Sequence, residues 1–141
     1  IYEELLERTP GDVSLLNNLA YLLATSEIDV VKAEEIAARA YMLAPENGII
    51  LDTYGLALIK NRKYEKAEQL LTRAIQTLEL SSTAAPYVIY EHLGLALERL
   101  NKPQEARAAY ERALEIGVDE LSDSQKEDIK SRVSRLSRRI F

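Results

Sequence analysis

Cysteine is absent from this 141-residue chain, and with it go disulfides, thiolate metal sites and cysteine nucleophiles. The same absence leaves the compartment open, since a disulfide-free protein can live in the cytoplasm or in a bacterial periplasm. Tryptophan is missing as well, and there is one histidine, one phenylalanine and one methionine. With a single imidazole, no glycine-rich phosphate loop and carboxylates scattered along helical positions that read as exposed, no catalytic constellation can be assembled. We therefore expect no enzyme activity, no metal and no cofactor, and His92 taken alone reads as a surface or contact residue. No apolar run is long enough to span a bilayer and no signal peptide opens the chain, so the expectation is a soluble protein without membrane insertion.

What is present suits one compact unit. Hydrophobic residues make up 47% of the chain, an ordinary share for a folded domain, so disorder is not expected. The net charge of −5 argues against generic nucleic-acid binding, but it is unevenly spread. No acid follows Asp128, while Lys130, Arg132, Arg135, Arg138 and Arg139 do; setting those five positive charges aside leaves −10 on residues 1–128. The basic run SRVSRLSRRIF is read as the solvated end of a helix rather than as a lipid or nucleic-acid patch.

The stretch from Gly48 to Leu78 organises the rest. Leu51, Tyr54, Gly55 and Leu58 fall at i, i+3, i+4 and i+7; after a break at Arg62 and Lys63, Ala67, Leu70, Leu71, Ala74, Ile75 and Leu78 continue that spacing. Each half is expected to be an amphipathic helix with one apolar face. Gly55 stands in mid-helix, where glycine costs roughly 0.5–1 kcal/mol relative to alanine, so close approach of a second helix is expected there.

The unit recurs. Ala33, Ala67 and Ala106 are spaced by 34 and 39 residues, as are Ala40, Ala74 and Ala113, while Ala20, Gly55 and Gly94 are spaced by 35 and 39. In the same register Leu16 matches Leu51 and Tyr90, Leu19 matches Tyr54 and Leu93, and Leu23 matches Leu58 and Leu97. Three copies of one helical hairpin follow one another.

These residues resemble the tetratricopeptide repeat, with its pattern W-x2-L-G-x2-Y, A-x3-F, alanine and a closing proline. The third copy has Tyr90, Leu93, Gly94, Leu97, Ala106, Tyr110 and Ala113; the second has Leu51, Tyr54, Gly55, Leu58, Ala67, Leu71 and Ala74; the first has Leu16, Leu19, Ala20, Leu23, Ala33, Ala37, Ala40 and Pro45. No tryptophan opens any copy, Ala37 stands where a large residue is usual, and the later two copies lack the proline. The resemblance covers Val13 to Val118 and implies an all-α fold, a right-handed superhelical solenoid of antiparallel helix pairs. Repeats are expected over 13–47, 48–86 and 87–120, followed by a C-terminal capping helix over 121–141.

Ile1 to Arg8 resembles the second helix of a preceding repeat, with Tyr2 and Leu5 in the places of Tyr110 and Ala113, so residues 1–12 are expected to belong to a unit that begins further upstream. Asp12 is a plausible N-cap, Pro86 suits a first helical turn, Gly117 a helix C-cap, and the five extra residues before the third copy are expected in Ser81 to Pro86. Ser122 or Ser124, with Gln125 or Glu127 three residues on, offers a capping box, and Ile129, Val133, Leu136 and Ile140 form a narrow stripe that would cover the last hairpin or seat a second subunit.

In such solenoids the first helices build a concave wall that binds peptide. Across the copies that wall carries Asn17, Asp52 and Glu91, then Asn18, Thr53 and His92, then Tyr21, Leu56 and Leu95, and last Thr25, Lys60 and Arg99. The expectation is an apolar floor at Tyr21, Leu56 and Leu95 between an acidic margin and a basic one, with Asn17 and Asn18 able to hold a ligand backbone. Asp52 with Lys60, and Glu91 with Arg99, also fit the helix macrodipole without any ligand. The resemblance implies a protein-interaction scaffold binding a peptide or helix; the alternative is a spacer or self-association domain. Relatives that grip acidic chaperone tails use lysine, asparagine and arginine where Asn17, Tyr21, Thr53, Val88 and His92 stand here, so that role is not expected. LNNLAYLLA, then APEN, then LDTYG are similar to repeats of bacterial envelope proteins.

Overall fold

The computed structural model describes residues 2–140, and every regular element within them is an α-helix. The helices are α1 (Tyr2–Arg8), α2 (Val13–Ser26), α3 (Val30–Leu43), α4 (Gly48–Lys60), α5 (Tyr64–Leu80), α6 (Tyr87–Arg99), α7 (Pro103–Ile116) and α8 (Asp123–Ile140). Helices α2 and α3, α4 and α5, and α6 and α7 form antiparallel hairpins; α3 packs on α4 and α5 on α6, and α2, α4 and α6 lie side by side. The side chain of Tyr2, on which the reading of α1 partly rests, lies outside the described residues; Leu6 of α1 is buried in the core.

Capping side chains set several starts. Asp12 accepts from the Leu15 N–H at 3.0 Å, Asp29 from the Lys32 N–H at 3.0 Å, and Asn47 from the Ile49 and Ile50 N–H groups. Ser122 and Gln125 close a reciprocal capping box at the start of α8. Helix α5 runs three residues beyond the point that matches the end of α3, so the extra length before the third hairpin is shared between α5 and its connection rather than confined to the loop.

The three turns inside the hairpins are built alike. Glu27, Arg62 and Asn101, one per hairpin at matching positions, adopt left-handed φ of 58°, 62° and 60°. Asparagine tolerates this conformation better than arginine does. Arg62→Asn is therefore expected to raise stability by about 0.5 kcal/mol, a rise in melting temperature of about 2 °C in a thermal scan.

The hairpins nest through small residues. A Cβ at Gly55 would lie 2.7 Å from Leu71, and one at Gly94 would lie 2.7 Å from the Tyr110 ring. The first hairpin holds Ala20 and Ala37 at these two positions, both buried, so a larger residue on one helix is matched by a smaller one on the other. Gly117 ends α7, but its φ of −88° is not left-handed; glycine fits there because a Cβ would meet Leu121 at 2.8 Å and Tyr87 at 2.9 Å.

Helix α8 covers α7 through Ile129 and Leu136, which join Leu97, Ala106, Ala109 and Tyr110 in one cluster. Tyr110 is fully buried, and burial holds its hydroxyl pKa above the ordinary tyrosine range; the hydroxyl donates to Glu98 at 3.0 Å. Glu98 also takes Arg135 and, at 3.8 Å, Arg132, while Arg139 donates to Asn101. Much of the basic run is thus spent on fastening α8 to the end of α6.

Candidate functional site: the wall of α2, α4 and α6

Helix α4 sits between α2 and α6 and is backed by α3 and α5, so every residue from Ile50 to Leu58 is buried. That placement divides the predicted rows. Tyr21 exposes 44% of its surface and Asn18 and Arg99 are exposed, while Asn17, Lys60, Glu91 and Leu95 are half-buried. Leu56 exposes only 4% and belongs to the core. The expectation of an open apolar floor at Leu56 is therefore corrected: the row is apolar, but its middle member is covered by the neighbouring helices of its own chain.

The acidic margin is also different from a macrodipole pair at the surface. Asp52 and His92 each expose 7%, and His92 Nδ1 lies 2.8 Å from Asp52 Oδ1. A carboxylate only accepts, so the Nδ1 hydrogen is donated to Asp52, the ring is held in one orientation, and Nε2 is left to other partners. His92 is thus a buried, paired residue of the wall rather than a surface one. Thr53 is buried beside it and donates to the Ile49 carbonyl at 3.2 Å. Asn17 Oδ1 is buried and accepts no hydrogen bond among the described residues. Sequence reasoning placed these residues on one wall but missed the pair. Its signal was present: a lone acid inside GIILDTYGLALI, on a helix with almost no polar face, needs a partner.

On the basic side Lys60 binds Glu27 at 2.7 Å, and that hydrogen bond holds the Glu27 carboxyl below its usual range. Lys63 with Glu34 and Lys102 with Glu68 repeat a second tie from hairpin to hairpin at matching positions. These exposed pairs are screened by water, add little to stability and act mainly on register. Arg99 makes no ion pair among the described residues. Among the described residues, no group of three or more acidic or histidine side chains is placed to hold a metal ion.

Residues 46–117 match the family model described as the tetratricopeptide repeat, which is half of the chain. The chain belongs to the tetratricopeptide-repeat family. Tetratricopeptide domains are general protein-interaction modules, typically without catalysis. The chain is 27% identical over 117 residues to the type IV pilus assembly protein PilF of Pseudomonas aeruginosa, covering 83% of this chain and 45% of PilF. A solved structure of that pilF protein superposes with a TM-score of 0.74 at 23% identity, over 98% of this chain and 58% of the other. The chain thus spans about half the length of this relative. YrrB, described as a tetratricopeptide protein with an unusual peptide-binding site, aligns with a TM-score of 0.72 at 17% identity over 96% of this chain and 64% of its own. The first tetratricopeptide domain of Spaghetti (RPAP3), solved with the HSP90 peptide SRMEEVD, gives 0.73 at 17% identity over 91% and 92%. Identities this low show the fold alone. The tetratricopeptide glycine is at Gly55 and Gly94, each facing the large residue of the second helix of its own hairpin. Among the described residues no helix is long and apolar enough to cross a membrane.

Proposed function

We propose that the wall of α2, α4 and α6 binds an extended segment of a partner protein, and that the chain serves as a scaffold in assembling a complex. The observation that carries this reading is the exposed ring of Tyr21 on the same row as the half-open Leu95, with the His92 imidazole held where α6 meets α4. Packed helices lie about 8–10 Å apart, and two such spacings separate α2 from α6, so a segment of about six extended residues reaches from one apolar residue to the other. Asn18 and Glu91 line its path as polar contacts, and Arg99 supplies a cation at the far margin. Leu56 and Asp52 support the wall from within.

An acidic chaperone tail suits this wall poorly. His92 is already engaged by a carboxylate, Glu91 would repel another, and Asn17, Tyr21, Thr53 and Val88 bring no cation. From the likeness to the type IV pilus assembly protein PilF, we propose pilus assembly as the setting. Self-association is a second reading, motivated by Ile28 and Val31, which expose 80% and 70% at the turn of the first hairpin.

Peptides selected from a displayed library against the protein provide the test. Tyr21→Ala and Leu95→Ala should each weaken a selected peptide about tenfold while the melting temperature stays within a few degrees. Selected peptides that move no protein amides around Tyr21 and Leu95 would overturn the reading.

A further inference from the structure

The two junctions between hairpins differ in one respect that the repeat makes measurable. At the first, where α3, α4 and α5 meet, the Tyr41 and Tyr54 rings pack at a centroid distance of 5.5 Å. Lys66 lies 5.1 Å over the Tyr54 ring and donates to its hydroxyl, and Arg73 lies 5.8 Å over Tyr41. The space is closed by two aromatic side chains, each with a cation bound at its hydroxyl end.

At the second, where α5, α6 and α7 meet, the matching positions hold smaller or oppositely charged side chains. Tyr54 becomes Leu93, Tyr41 becomes Ile75, Leu70 becomes Ala109, Gln69 becomes Ala108 and Lys66 becomes Glu105. Leu51 becomes the larger Tyr90 and Ala38 becomes Thr72, which restores only part of the lost volume. What remains is an open cleft of about 340 Å³ with Leu93, Leu97 and Ala109 as its floor, Tyr90 on one side and Arg112 at its lip. Arg112 is the counterpart of Arg73 and lies 5.9 Å over the Tyr90 ring. Glu105, where the cation of the first junction stands, is exposed and makes no ion pair among the described residues.

We propose that this cleft, which uses the side of α6 turned to α5 and α7, is a second interaction site distinct from the row of Tyr21 and Leu95, and that it takes an aromatic side chain of a partner segment with a lysine or arginine beside it. The ring enters where Tyr54 and Leu70 fill the first junction. The cation meets Glu105, which reverses the charge of Lys66 and so asks the incoming segment to bring what the chain itself supplies one repeat earlier. The floor is apolar and preformed, so an aromatic ring displaces water from surface that has no hydrogen bond to lose.

The probe is the dipeptide Ac-Lys-Tyr-NH2, titrated into the full chain labelled with nitrogen-15, with Ac-Ala-Tyr-NH2 and Ac-Lys-Ala-NH2 as comparison arms. We expect shift changes confined to the amides around Leu93, Leu97, Ala108 and Ala109 with a dissociation constant of about millimolar order. Weaker binding without the lysine and none without the tyrosine are expected. The double variant Ala108→Gln, Ala109→Leu restores the filling of the first junction; it should abolish those shifts and keep or raise the melting temperature. If that variant fails to fold, Leu93→Tyr should block the cleft in the same way. Absence of shifts with Ac-Lys-Tyr-NH2, shifts confined to the Tyr21 and Leu95 wall, or binding that survives the filled cleft would each overturn the proposal and leave the wall reading intact. Shifts of the same amides with protein concentration alone would make a second copy the occupant and overturn it too.

Discussion

Gly94→Leu should lower the melting temperature by roughly 10 °C, and Gly55→Leu by a similar amount. At Gly94 even the first added carbon would stand 2.7 Å from the Tyr110 ring, well inside van der Waals contact. Tyr110 cannot yield, because it is fully buried, its hydroxyl is tied to Glu98 and Arg132 lies 5.9 Å over its ring. Overpacking of this kind costs about 1–3 kcal/mol, and the upper end applies where the neighbour is fixed. Leucine recovers about 0.8 kcal/mol of helix propensity, which offsets only part of that. For a chain of this size each lost kcal/mol lowers the midpoint by about 3–5 °C. Gly11→Leu is the control, since nothing lies within 4 Å of a Cβ there. If Gly94→Leu melted like Gly11→Leu, the nesting of the third hairpin would be wrong.

Leu56→Glu is the second large effect, and it separates core from wall. Removing a buried leucine side chain costs about 2–5 kcal/mol, and a carboxylate left without a partner in that space adds a desolvation penalty of comparable size. The protein should lose most of its stability, seen as a collapsed or absent unfolding transition by circular dichroism. Tyr21→Glu, on the same row of the wall but with 44% of its surface exposed, should change stability by less than about 1 kcal/mol. A Leu56→Glu protein that melts normally would contradict the burial of that residue and reopen the apolar floor expected from the pattern alone.

The contrast between these two residues shows where reading along the chain stops. Tyr21, Leu56 and Leu95 occupy one position of the repeat, and spacing cannot tell them apart. Their exposure depends on whether one or two helices stand beside the one that bears them. The pairing of Asp52 with His92 has the same origin: 40 residues separate the two in sequence, and only the lateral contact of α4 with α6 brings them to 2.8 Å. A clue did exist in the near-continuous apolar run of α4, which has no face fit for water. The open cleft beside Tyr90 likewise becomes visible only when the third hairpin is laid on the second in space.

By itself the sequence determined that this protein is a row of helix pairs. Local periodicity, caps such as Asp12 and Ser122, and small residues recurring at Gly55 and Gly94 act within one hairpin, and physics of that range is written in neighbouring residues. Tertiary structure alone decided which of the repeated positions face water, which acid meets which base, and where a side chain is missing. Those outcomes depend on what the next hairpin places alongside, and the lateral stacking of hairpins brings together side chains that lie a whole repeat apart in the chain.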